Sequence, residues 1–310
     1  MDNTELMVQR KLPSKAERHK LFGSVNPGPR TKPVEKEKMS DLQNVQKDFL
    51  FAIDQVGIAN VNHPITVEST IQPTIQTTIA SFSLTTSIHQ ASKGTNMSRF
   101  TEQLQLYHTN GFTADIANLK QFTKELTDRL EQEDAQVELS FPWFFERQAP
   151  QSGLAGLNHA DVTLSVSYNK QTGFSIKGSL EVLVTTLCPC SKEISEYSAH
   201  NQRGRVFMEA TFNEYIDEAK IDWKEQLLEA AESNASSRLH PVLKRPDEKM
   251  VTEHAYENPR FVEDMVRLVA ADLYEMPFIQ KFKVSCRNEE SIHMHDAIAS
   301  LTFDKNEFNL

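Results

Sequence analysis

The residues best suited to chemistry in this chain fall in three short segments. The densest is LCPCSKEISEYSAHNQRGRV, residues 187–206, with two cysteines, a lysine, two glutamates, a tyrosine, a histidine and two arginines. Cys188 and His200 stand twelve positions apart. Thiolate and imidazole are good donors to a divalent ion, but this spacing follows no zinc-finger rule. On spacing alone, the pair equally fits a buried structural cysteine and an exposed loop histidine. Only Pro189 separates Cys190 from Cys188, a geometry that keeps both from one ion, so Cys190 reads as support. In the second segment, HPVLKRPDEKMVTEHAYENP (240–259), Lys244 and Arg245 form a basic node and Asp247 and Glu248 supply carboxylates. An arginine fork grips phosphate. The plain alternative is a solvated charge run between helices. The third segment, SIHMHDA (291–297), carries His293 and His295 two apart in an expected strand, so both imidazoles project from one face. Near a thiolate and a carboxylate they would complete a metal site. Cys286 on the preceding strand reads as core.

These segments need rigid elements to hold them, and the sequence supplies a repeating set. DFLFAIDQVGIANVNHPITV and PTIQTTIASFSLTTSI read as two long strands rich in Val, Ile, Thr and Phe. Residues 98–132 show helical spacing, with Asn110-Gly111 as the break between two helices. AQVELSFPWFFER and HADVTLSVSYNK return to strand character and pair as a hairpin. In GFSIKGSLEVLVTTL, Phe174, Ile176, Leu180, Val182 and Val184 share one face of a strand, and GRVFMEATF follows as another. Residues 218–236 form an amphipathic helix with Ile221, Leu227, Leu228 and Ala231 inward. A further helix is expected from Asn258-Pro259, with asparagine as cap and proline in the first turn. FIQKFKVSCRNEE and IHMHDAIASLTFD close the chain as strands. The economical account is α+β: a duplicated β-β-α-α-β-β unit, residues 49–170 and 171–310, each an antiparallel four-stranded sheet with helices on one face. Such sheets leave edges that call for oligomerisation or barrel closure.

Residues 1–48 carry ten basic and seven acidic side chains, four prolines and one aromatic, Phe22. They bury little and read as a flexible or surface-wrapping extension, able to lie on a body more acidic than the whole chain. The 310 residues have a net charge of −10 and are 39% hydrophobic, the composition of a globular protein. That field opposes nucleic-acid binding, and no local basic stripe offsets it. No apolar run approaches the roughly 20 residues of a membrane span, and the N-terminus lacks a signal-peptide core. Three cysteines make no disulfide framework, which fits a reducing compartment and leaves the cytoplasm as the expectation.

Taken together, LCPCSKEISEYSAHNQRGR, LKRPDEKMVTEHAYENPRFVEDMVR and DQVGIANVNHPITV resemble the type IB GTP cyclohydrolases, prokaryotic enzymes that open the folate pathway, in three ordered blocks from about residue 50 to about 300. The resemblance implies tandem tunnelling-fold modules assembled as a homotetramer, with active sites between subunits. It implies conversion of GTP and water to 7,8-dihydroneopterin triphosphate and formate. Carried over by position, Cys188 is the essential cysteine and a metal ligand, His200 shares the metal, and Glu248 and His293 complete its coordination. Glu263, in the FVED block, anchors the purine N–H groups. His200, His295 and the glutamates are candidates for proton transfer. Lys192, Arg203, Lys244 and Arg245 are the local cations for the triphosphate. A thiolate, carboxylate and imidazole set suits zinc, manganese or iron without strong selectivity. KGTNMSRF departs from the family with Asn96 where many relatives have histidine; Ser98 and Arg99 there are candidates only. Two other readings stand beside this one: a tunnelling-fold nitrile reductase with a nucleophilic cysteine, and a non-catalytic metal- or nucleotide-binding protein.

Overall fold

Among its described residues the basic N-terminal stretch forms a short helix, α1 (Lys15–Leu21), and a 3-10 turn at Lys36–Lys38, in a computed structural model that describes residues 12–40, 42, 43 and 45–307. A capping box starts α1: Ser14 Oγ accepts the Glu17 N–H at 3.3 Å, and Glu17 Oε2 accepts the Ser14 N–H at 2.8 Å. No residue of α1 is buried. A division between Leu42 and Gln43 separates this unit from the second, which holds every strand.

In that second unit the strands are β1 (Ile53–Glu68), β2 (Ile75–Ile88), β3 (Asp134–Gln148), β4 (Ala155–Asn169), β5 (Gly173–Leu187), β6 (Asn201–Phe212), β7 (Ile279–Glu289) and β8 (Ala297–Asp304). Alternation of side chains builds them. In β5, Ile176, Leu180, Val182 and Val184 are buried, while Ser175 and Lys177 are exposed. The two expected four-stranded sets join edge to edge within the chain. All eight strands form one sheet in chain order, each neighbour antiparallel, because β4 and β5 pair from Asp161↔Glu181 to Asn169↔Gly173. The short turn at 170–172 makes that pairing a hairpin, which costs little loop entropy.

The helices of this unit are α2 (Met97–Thr109), α3 (Ile116–Leu130), α4 (Pro189–Ile194), α5 (Trp223–Asn234), α6 (Arg245–Glu257) and α7 (Val262–Glu275). The break expected at Asn110-Gly111 is present, and Gly111 adopts φ 82°, a conformation that favours glycine. Just after it, Phe112 stacks on Phe82 of β2 and Phe122 of α3, and meets Tyr107 of α2 edge-on at 5.5 Å. In α5, Leu227, Leu228 and Ala231 are buried, as the amphipathic pattern requires.

Two expectations fail locally. The segment whose plain alternative is a charge run between helices contains a helix of its own, α6, because Pro246 falls in the first turn, where its missing N–H costs nothing, and Asp247 caps the chain there. The following helix starts at Val262 instead of Asn258. Asn258 ends α6, and Pro259 stands after a helix terminus, where proline is equally common.

Candidate active site

An antiparallel sheet in chain order sends its β1–β2, β3–β4, β5–β6 and β7–β8 connections off the same end. Cys188 and His200 bound the β5–β6 connection. The Cys188 N–H donates to the His200 carbonyl at 3.1 Å, directly beyond the Leu187↔Asn201 pair, so the ladder holds the two residues side by side. Both are half-buried. Cys188 is also the N-cap of α4, and its Sγ accepts the Ser191 N–H at 3.5 Å. His200 Nδ1 lies 3.0 Å from Gln202 Oε1. A carbonyl oxygen only accepts, so in this contact Nδ1 is the donor, and the neutral tautomer that makes it would leave Nε2 open to a ligand. Sequence reasoning passed over Gln202; the only signal was its place two residues after the histidine, on the same side of the strand.

The β7–β8 connection reaches the same place. Ser291 Oγ lies 3.3 Å from His200 Nδ1, and His293 and His295 follow two and four residues later. The strand expected to carry that pair is corrected: β8 begins only at Ala297, and both histidines lie in the turn before it. Charged, polar residues such as Asp296 favour a turn over a ladder at this point. The two rings still lie together, stacked at 4.8 Å between centroids and exposed.

Helix α6 is tied to this end at both of its termini. Asp247 is fully buried and takes four hydrogen bonds: from the Gln151 and Ser152 N–H groups at 2.7 and 2.8 Å, from Ser152 Oγ at 2.7 Å, and from the Lys244 N–H at 2.8 Å. Burial pushes the Asp247 carboxyl up, but these donors outweigh it and hold the group well below the usual carboxylate range. At the other terminus, Lys192 Nζ donates to the Tyr256 carbonyl at 2.6 Å and lies over its ring. Next to it, the Arg260 N–H donates to the Leu187 carbonyl at 2.9 Å, at the very end of β5. Close contact continues at Gly156, where a Cβ would meet Pro241 Cγ at 2.8 Å.

The remaining expected residues are placed as follows. Glu248 is exposed in the first turn of α6, beside Asp247, with Lys244 and Arg245 exposed just before it. Glu263 is exposed in the first turn of α7, three residues after Arg260. Arg203 is exposed on β6, opposite Thr185 and Glu289. Lys192 is committed to Tyr256. Arg99 donates to the Arg129 carbonyl at 2.7 Å and pairs with Glu131, and Asn96 is the N-cap of α2. The structure thus joins Cys188 to His200 and brings the turn of His293 and His295 to them. Among the described residues, no three His, Cys, Asp or Glu side chains gather closely enough to hold a metal ion. The donor pair at Cys188 and His200 suits a divalent ion by its chemistry; Glu248 and His293 are not drawn into one group with it within the chain.

Residues 39–299 match the model of a family described as type I GTP cyclohydrolase folE2. The chain belongs to that family. Among its relatives is a GTP cyclohydrolase FolE2 of Oceanobacillus iheyensis, 68% identical over 96% of this chain and 99% of the relative. A GTP cyclohydrolase FolE2 of Bacillus subtilis is 57% identical over 95% of this chain and 96% of its own length. Among solved structures, the uricase of Arthrobacter globiformis superposes with a TM-score of 0.53 at 11% identity, covering 83% of this chain and 96% of that one. At that identity the likeness is one of fold. Among the described residues of this family member, no helix is long and apolar enough to cross a membrane.

Proposed function

We propose that the chain is a GTP cyclohydrolase that converts GTP and water to 7,8-dihydroneopterin triphosphate and formate, the opening step of folate biosynthesis. The observation that carries the reading is the family match over residues 39–299. Beneath it stands the backbone pairing of Cys188 with His200 at the loop end of the sheet. A purine C8 is a poor electrophile, and a bound divalent ion would supply hydroxide by lowering the pKa of water to about 7. Cys188 and His200 would hold that ion, with Glu248 and His293 as further donors. His200 and His295 would move protons during ring opening and reclosure. Glu263 would accept the purine N–H groups. Arg203, Lys244 and Arg245 would hold the triphosphate; Lys192 would join them only by leaving Tyr256. Residues 49–170 and 171–310 are taken as tandem tunnelling-fold modules, assembling through the outer strands β1 and β8 into a homotetrameric barrel with sites between subunits, in the cytoplasm.

Full-length protein incubated with GTP and Mn²⁺ is expected to release formate and a product that becomes fluorescent on oxidation. Treatment with a chelator should remove the activity, and Mn²⁺ or Zn²⁺ should restore it. Full formate release from chelator-treated, metal-free protein would rule the metal role out. No formate under any metal condition would rule out the reaction.

A further inference from the structure

Among the described residues, none holds the Glu248 side chain by a hydrogen bond or ion pair, whereas the carboxylate beside it accepts four hydrogen bonds. Asp247 is fully buried, and its two oxygens accept four donors from two separate stretches of chain. Three come from Gln151 and Ser152 in the β3–β4 connection, and the fourth is the Lys244 N–H at the start of α6. That connection leaves the sheet at the same end as Cys188 and His200. A helix cap needs only the Lys244 contact. The other three bonds couple the first turn of α6 to the sheet, and this turn presents Lys244, Arg245 and Glu248.

We propose that Asp247 is a positioning residue, whose carboxylate clamps the first turn of α6 to the β3–β4 connection so that Glu248 is presented to the ion held by Cys188 and His200. The inference rests on the reading of Glu248 as a metal donor. Groups that orient metal ligands without touching the ion change affinity by roughly tenfold to a hundredfold when removed. In Asp247→Asn the amide oxygen can still accept from the loop, but its NH₂ faces other donors, so at least one of the ties to Ser152 Oγ and Lys244 is lost.

The test measures Mn²⁺ affinity of the full chain by equilibrium dialysis, beside the thermal midpoint of each variant. Asp247→Asn is expected to weaken Mn²⁺ binding about tenfold, and Ser152→Ala, which removes one donor, by a few-fold in the same direction. Glu248→Ala is the reference for the donor itself and should weaken binding at least as much. Phe112→Ala, destabilised in the aromatic core between β2, α2 and α3, controls for stability and should leave the affinity of the folded protein unchanged. If Glu248→Ala weakens binding but Asp247→Asn and Ser152→Ala do not, the clamp is structural only and the inference fails. If Glu248→Ala leaves affinity unchanged, the donor reading falls and takes the inference with it. Should Asp247→Asn not fold, Ser152→Ala decides, and an unchanged affinity overturns the proposal.

Discussion

Replacing Cys188 by alanine is expected to cut formate release from GTP by more than about a hundredfold while leaving the thermal midpoint within a few degrees of the parent. The loss follows from taking away a metal donor, whose removal should cost more than the tenfold to hundredfold typical of groups one step further out. The small effect on stability follows from the location. Cys188 is half-buried at the end of β5, and what ties it to His200 is a backbone hydrogen bond that alanine keeps. The side chain itself contributes one long contact from the Ser191 N–H. Formate release and Mn²⁺ affinity should fall together, since both depend on the sulfur. A variant with formate release within tenfold of the parent would show that the sulfur is not a ligand in the reaction.

Phe112→Ala should destabilise the protein by about 3–5 kcal/mol, a fall in thermal midpoint of roughly 6–10 °C. Phe112 is 4% exposed, and its ring is shared by three elements: Phe82 at 5.6 Å on β2, Tyr107 at 5.5 Å on α2 and Phe122 at 5.7 Å on α3. Alanine leaves a cavity that these rings cannot close without moving the helices off the sheet. Each aromatic pair adds about 0.5–1.5 kcal/mol beyond the buried area, which places the effect toward the upper end. Phe112→Leu, which keeps most of the volume, should lose less than half as much. A shift below about 2 °C for the alanine variant, measured by calorimetry, would mean that the α2–α3 connection is not the keystone its contacts indicate.

Strand faces were legible because period-two alternation is local: Ile176, Leu180, Val182 and Val184 are the buried side of β5 as read. The break at Gly111 was legible for the same reason, since only a few residue types favour a positive φ. That the sheet edges need partners was legible too, but which edges meet was not, because the β4–β5 hairpin falls at the seam between the two repeat units. Helix α6 escaped notice because its buried positions are Asp247 and Ala255, too few and too polar to show a 3.6-residue period. The site divides in the same way. Cys188 and His200 were found from residue type and the family blocks, and their meeting required the β5–β6 register. Gln202, Ser291 and Asp247 carry no signature in a single sequence, since an amide, a hydroxyl or a carboxylate becomes an orienting group only through its partners.

The third cysteine has an experimental use. Cys286 is 2% exposed on β7, and burial pushes its thiol up to about 12, so at neutral pH it stays protonated and out of reach of reagents. Cys190 is exposed and Cys188 half-buried. Ellman's reagent on native protein should therefore titrate two equivalents, and a third only in guanidinium. Because both reactive sulfurs lie within three residues of each other, a maleimide dye attached to the unmodified chain reports on the mouth of the β5–β6 connection alone, with no need to engineer the background away.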